Sequence, residues 1–135
     1  MIDLAKKFLH ENIYFELYHH RAIYTNEDAL VIKKEQGFTG TETKSLFLKD
    51  KKDNNYVYLT FTTKQTGQKQ GAVSPFGYEK QIPIIIDEEL LSNEKLVFAP
   101  GRPDQTMVIQ TVDLNKIIQL LEMPIFLMPA NEKNN

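Results

Sequence analysis

The chain has 135 residues and a mass of 15.7 kDa, the span of one domain. Sixteen Lys and Arg stand against eighteen Asp and Glu, and the resulting charge of −2 excludes a strongly basic coat for duplex nucleic acid, though not a local basic contact with one end of an RNA. There is no cysteine, which excludes disulfides, thiolate metal sites and cysteine nucleophiles.

The opening residues, Met1-Ile2-Asp3-Leu4-Ala5-Lys6-Lys7, carry an early acid and no long apolar run, unlike a secretory signal. The stretch from Ile82 to Ile86 is too short to cross a bilayer. The expectation is a soluble cytoplasmic protein with no membrane partner. Over residues 2–12, Leu4, Ala5, Phe8 and Leu9 recur at spacings of three and four, which predicts an amphipathic helix. Ile13 to His19 alternates and reads as a half-exposed strand. Thr25-Asn26-Glu27-Asp28 has the form of a helix start with Thr25 as its cap, and Gly37 is the expected stop.

A hairpin follows, with strands Lys44 to Lys49 and Tyr56 to Thr63 about the turn Asp50 to Asn55. Residues 64–71 form a polar loop. Gln81 to Ile86 is an apolar strand in which Pro83 marks an edge or a strand start. Asp87 to Leu91 fits one helical turn, Lys95 to Ala99 and Gln105 to Thr111 fit two strands, and Val112 to Glu122 fits a last amphipathic helix. The order predicts an α+β fold with a mixed, mainly antiparallel twisted sheet flanked by helices. One domain over residues 1–124 and a C-terminal tail over 125–135 are expected, the last five residues frayed.

His19 and His20 are neighbours at a strand end and point to opposite faces, which disfavours a shared metal. No serine sits in a nucleophile elbow, and no Gly-rich loop matches a nucleotide-binding fingerprint. No cofactor or metal is expected. Asp87-Glu88-Glu89 fits a helix N-terminus better than an acid/base pair, and Lys49, Lys51 and Lys52 fit a solvated turn. Two places have more specific chemistry. Lys44 opens an apolar strand, where an ammonium could aim into a cleft instead of lying at an exposed strand end. Gly71-Ala72-Val73-Ser74-Pro75-Phe76-Gly77 has Gly and Pro fixing a backbone whose amides could face a ligand oxygen, the ordinary alternative being a closing loop.

These same places carry a resemblance. Thr43-Lys44-Ser45-Leu46-Phe47-Leu48-Lys49-Asp50-Lys51-Lys52 is similar to the Lys-Asn-Leu-Phe-Leu-Arg-Asp-Lys-Lys signature of the YbaK/ProX-type aminoacyl-tRNA deacylases, relatives of the editing domain inserted in bacterial prolyl-tRNA synthetase. Residues Gly71 to Gly77 resemble that family's G-x-x-x-P loop, and Tyr24-Thr25-Asn26-Glu27-Asp28-Ala29 its aromatic-Thr-x-Glu-Glu-Ala helix start. The likeness extends over residues 2–121.

The resemblance implies an editing-domain-like fold and hydrolysis of the ester joining a wrong amino acid to tRNA, in trans, with no side-chain nucleophile or metal. Water is positioned by backbone groups and by a ribose hydroxyl of the terminal adenosine. Carried over, Lys44 and Gly71 hold the catalytic places. Ala72, Val73, Ser74 and Pro75 shape the substrate loop, and Thr25, Phe47, Ala99, Arg102 and Thr106 complete the substrate contacts. The implied partners are the aminoacyl-tRNA acceptor end, with an aminoacyl-tRNA synthetase and a second copy of the chain left open, and no DNA. Two departures stand out. Only Lys64 to Gln70 fill a gap that is longer and largely helical in relatives. Where many relatives have Phe-His-Pro and then Asn-Thr, this chain has Phe98-Ala99-Pro100 and then Gln105-Thr106. The alternative reading is a non-catalytic module whose pocket binds an aminoacyl group, another small ligand or a synthetase.

Overall fold

The computed structural model of the chain describes residues 3–62, 74–78 and 81–129. Helix α1 (Leu4–His10) begins where Asp3 accepts a hydrogen bond from the Lys6 amide at 3.1 Å, and it buries Leu4 and Phe8. Strand β1 (Phe15–His19) follows. Helix α2 (Asn26–Gln36) starts and stops where its sequence signals lie: the Thr25 hydroxyl accepts from the Asp28 amide at 3.0 Å, and Gly37 closes the last turn at φ 76°. Loss of that cap in Thr25→Ala is expected to cost about 1 kcal/mol, read from the urea midpoint.

The predicted hairpin is present as β2 (Thr41–Lys49) and β3 (Asn55–Phe61). Asp50 holds its turn by accepting from the Lys52 and Asn54 amides at 2.8 and 2.9 Å. Strand β2 starts three residues earlier than its apolar pattern suggests, because Thr41 and Glu42 pair with β5 (Lys95–Phe98). Strand β4 (Ile84–Asp87) begins just after Pro83, whose carbonyl still accepts from the Val57 amide at 3.0 Å. A 3-10 turn (Glu88–Ser92), capped by Asp87, leads to β5, then to β6 (Gln105–Gln110) and a second 3-10 turn (Thr111–Asp113). Helix α3 (Leu114–Leu120) ends before Glu122, which takes a positive φ of 54°. Within the segment expected as a tail, Ile125–Met128 forms β7 and pairs in parallel with β4. The predicted loop 64–71 and the frayed last residues lie outside the described residues.

The seven strands of the described residues lie in the order β1-β6-β5-β2-β3-β4-β7. Three junctions are antiparallel, including the long β2/β3 and β1/β6 registers, and three are parallel. Alternation along the strands divides the apolar residues between two faces. Leu96, Phe98, Met107 and Ile109 join the larger core with Leu4 and Phe8 of α1 and Leu114, Ile117 and Ile118 of α3. Val97 and Val108 face the other way and pack with Ala29 and Ile32 of α2, together with Ile23 and Phe38.

The junction between β2 and β5 is short. Among the described residues it runs through only two pairs, Thr41↔Leu96 and Glu42↔Val97, after which β2 continues against β3. Gly40 makes the close approach possible. It sits at φ +136°, and a Cβ there would meet Val97 Cγ2 at 2.8 Å. Gly40→Ala is therefore expected to destabilise the fold by about 1–3 kcal/mol through overpacking and strain, read as a lower urea midpoint with an unchanged slope.

Candidate functional site

Where β2 and β5 part, a cleft opens on the α2 side of the sheet. One wall is Glu42, Thr43, Lys44 and Ser45 of β2. The other is Val97, Phe98 and Ala99, with Gln105 and Thr106 of β6 behind and Ala29 of α2 above. The Thr43 hydroxyl donates to the Val97 carbonyl at 2.7 Å and satisfies that group as the pairing runs out. The described residues enclose ≈ 40 Å³, room for a few waters.

Lys44 is half-buried in this cleft, and burial pushes its pKa below that of an ordinary lysine. Among the described residues its ammonium has no hydrogen bond or ion pair. Glu42, two residues earlier on the same face, is a different case. Lys33 of α2 stands 3.8 Å from its carboxylate and is itself tied to the Gly40 carbonyl at 2.7 Å. Burial pushes the Glu42 carboxyl up, and the Lys33 charge opposes the shift. Among the described residues the cleft thus presents one uncommitted cation beside a carboxylate already engaged from α2. That arrangement suits a ligand oxygen with negative or developing negative charge.

Of the residues singled out from sequence, Lys44, Ala99 and Thr106 meet in this cleft. Thr25 caps α2 at its exposed start. Phe47, an odd number of positions from Lys44 along β2, lies half-exposed against Tyr78, ring centroids 5.2 Å apart. Ser74 and Pro75 are buried beside Phe76, whose ring packs edge-on against Phe98 at 5.4 Å; the Ser74 hydroxyl accepts from the Phe76 amide at 3.1 Å. Gly71, Ala72 and Val73 lie outside the described residues.

Arg102 is engaged elsewhere. Its Nε and Nη2 donate to the two carboxylate oxygens of Asp104 at 2.9 and 2.8 Å, beside a separate hollow lined by Leu4, Leu17 and Met107. The hydrogen-bonded guanidinium holds the Asp104 carboxyl down at about 2. A carboxyl depressed on folding stabilises the native state fully above its unfolded value, ~4, and loses that contribution as pH falls through the folded value of about 2. Arg102→Gln is expected to remove this part of the acid limb, a small effect for an exposed pair, visible in urea midpoints measured against pH.

His20 stands behind the cleft lining, a placement the sequence does not signal. Its Nε2 lies 2.7 Å from Thr106 Oγ1, a contact between residues 86 positions apart. Among the described residues no group of three or more His, Asp and Glu side chains is placed to hold a metal, and no helix is long and apolar enough to cross a membrane.

The profile of the aminoacyl-tRNA editing domain matches residues 62–117. No curated protein matches the chain by sequence. Among solved structures, the hypothetical protein APE2540 superposes with a TM-score of 0.66 at 13% identity, covering 91% of this chain and 96% of that one. A scaffold protein used for computational epitope grafting gives 0.59 at 18% identity, over 90% and 88% of the two chains. A candidate trans-editing enzyme for prolyl-tRNA synthetase gives 0.58 at 19% identity, over 82% and 83%. Over residues 62–117 the chain is similar to the aminoacyl-tRNA editing domain, and over most of its length it shares an α+β fold with these solved structures.

Proposed function

We propose that the chain is a free-standing deacylase that removes wrongly attached amino acids from tRNA. The observation that carries this reading is the Lys44 ammonium, unpaired among the described residues, in a cleft formed where two strands of an editing-type sheet separate. The editing-domain match and the likeness to a candidate trans-editing enzyme for prolyl-tRNA synthetase support it.

In the proposed reaction, water attacks the carbonyl carbon of the ester between the amino acid and the terminal ribose. Negative charge builds on the carbonyl oxygen, the carbon–ribose oxygen bond breaks, and a proton from the water ends on the ribose oxygen. Free amino acid and uncharged tRNA leave. Lys44 donates to the oxygen that gains charge, a role for a fixed cation in a partly desolvated site. An aminoacyl ester is already activated, so positioning together with one charged donor suffices without a side-chain nucleophile. Water activation falls to backbone groups of the Gly71 to Pro75 segment and to the neighbouring ribose hydroxyl. The protein would act in the cytoplasm, where charged tRNA is used. Discrimination rests on pocket size, worth about 1–3 kcal/mol per methylene.

The test is release of labelled amino acid from tRNAs mischarged with small amino acids, followed with purified, folded protein. Release above the spontaneous rate for at least one is expected. No release from any, with the fold verified by circular dichroism, would sink the deacylase and leave a binding module.

A further inference from the structure

We propose that the cleft selects aminoacyl esters with a free α-ammonium, read by a Thr106 hydroxyl that His20 fixes as a hydrogen-bond acceptor; this rests on the reading of the cleft as an aminoacyl-ester site. The His20 amide donates to the Asp104 carbonyl at 3.0 Å, extending the β1/β6 ladder one step beyond His19↔Gln105. His20 therefore stands diagonally across from Thr106, on the same face of the sheet. Its imidazole makes two contacts: Nδ1 lies 2.6 Å from the Arg21 carbonyl oxygen, and Nε2 lies 2.7 Å from Thr106 Oγ1.

For a neutral imidazole these contacts fix the direction of the hydrogen bonds. A carbonyl oxygen can only accept, so Nδ1 carries the proton. In the neutral ring Nε2 is then bare and accepts the Thr106 hydroxyl hydrogen. Thr106 has spent its only donor behind the cleft wall, because His20 is not itself a lining residue. With His20 neutral, what Thr106 offers the cleft is lone pairs alone.

The cleft accordingly has two committed polarities, a donor in Lys44 and an acceptor in Thr106. An aminoacyl ester carries the complement, with an acyl oxygen that accepts and an α-ammonium that donates. An N-acylated ester lacks the ammonium and presents a bulky amide in its place. Glu42 and the Gln105 amide are competing acceptors, but Glu42 is already faced by Lys33 and the Gln105 Nε2 lies 3.5 Å from His19 Nδ1.

The test uses two stable adenosine analogues in which an amide replaces the ester. One is 3′-alanylamino-3′-deoxyadenosine and the other its N-acetyl form, each titrated into the full chain by calorimetry. The free amine is expected to bind about ten- to a hundredfold tighter, the range for one hydrogen bond to a charged group. Thr106→Val keeps the shape, removes the acceptor, and is expected to bring the ratio close to one. His20→Ala frees the Thr106 hydrogen and is expected to lower the ratio. His20→Gln, whose amide oxygen can accept that hydrogen, is expected to restore part of it. A purely structural role for His20 would weaken both analogues alike and leave the ratio unchanged, which would overturn the proposal. So would equal binding of both analogues by the unaltered protein, or a ratio that survives Thr106→Val and is lost in Glu42→Gln. Binding of neither analogue would overturn the aminoacyl-site reading along with it, whereas equal binding would leave that reading standing.

Discussion

Lys44→Ala is expected to slow deacylation by roughly 10²-fold, the scale seen when one donor to a developing oxyanion is removed. The fold should survive the change. Lys44 is only half-buried, no described residue depends on it for a hydrogen bond, and the β2/β3 ladder runs through its backbone at Lys44↔Thr60. The loss should appear in single-turnover rates with saturating protein, and circular dichroism should show an unaltered sheet. A second signature comes from the burial that lowers the Lys44 pKa. In the proposed reaction the ammonium is the working form, so the enzyme-dependent rate, after subtraction of spontaneous hydrolysis, should fall on the alkaline side at a lower pH than an exposed lysine would give. Lys44→Arg keeps a charge without that shift and should remove the early alkaline fall.

Phe76→Ala is expected to cost about 3–5 kcal/mol, a large part of the roughly 5–15 kcal/mol that stabilises a domain of this size. Phe76 is fully buried, packed edge-on to Phe98 in the larger core, and Phe98 belongs to the strand that forms one wall of the cleft. The same ring pins the short segment Ser74 to Gly77, in which the Tyr78 hydroxyl also donates to the Ser74 carbonyl at 2.6 Å. Urea unfolding followed by circular dichroism measures the cost, since the chain has no tryptophan to report by fluorescence. Phe76→Leu fills most of the volume and should lose well under half as much. Equal losses in the two variants would mean that the aromatic contact, not the filled volume, holds this segment.

What could be read in the sequence was local. The cap at Thr25, the stop at Gly37 and the Asp50 turn each rest on residues within four positions of one another, and all three are found as expected. The strand Ile125–Met128 was illegible for the opposite reason. It is a short apolar run without alternation, exposed along much of its length, and only its pairing with β4, far back in the chain, makes it a strand. The early start of β2 has the same origin, since Thr41 and Glu42 become strand residues through β5.

The site divides along similar lines. Lys44 is conspicuous as a cation within an apolar strand, and the family likeness draws attention to Ala99 and Thr106. Local commitments decide the rest: the Thr25 hydroxyl is spent on the helix cap, the Arg102 guanidinium on Asp104, and Phe47 falls on the face opposite Lys44 by strand parity. The two-residue junction that opens the cleft, and the histidine behind Thr106, are products of sheet order and had no local signature.

The most direct test of the account is to follow the Lys44 side-chain amine by NMR, after isotopic labelling of the lysines, while the alanyl-adenosine amide is added. If the cleft between β2 and β5 holds the aminoacyl end, the Lys44 resonance shifts in step with occupancy, whereas exposed lysines such as Lys34 and Lys116 stay in place. An analogue that binds and leaves the Lys44 resonance unmoved would contradict the account and place the aminoacyl site elsewhere on the molecule.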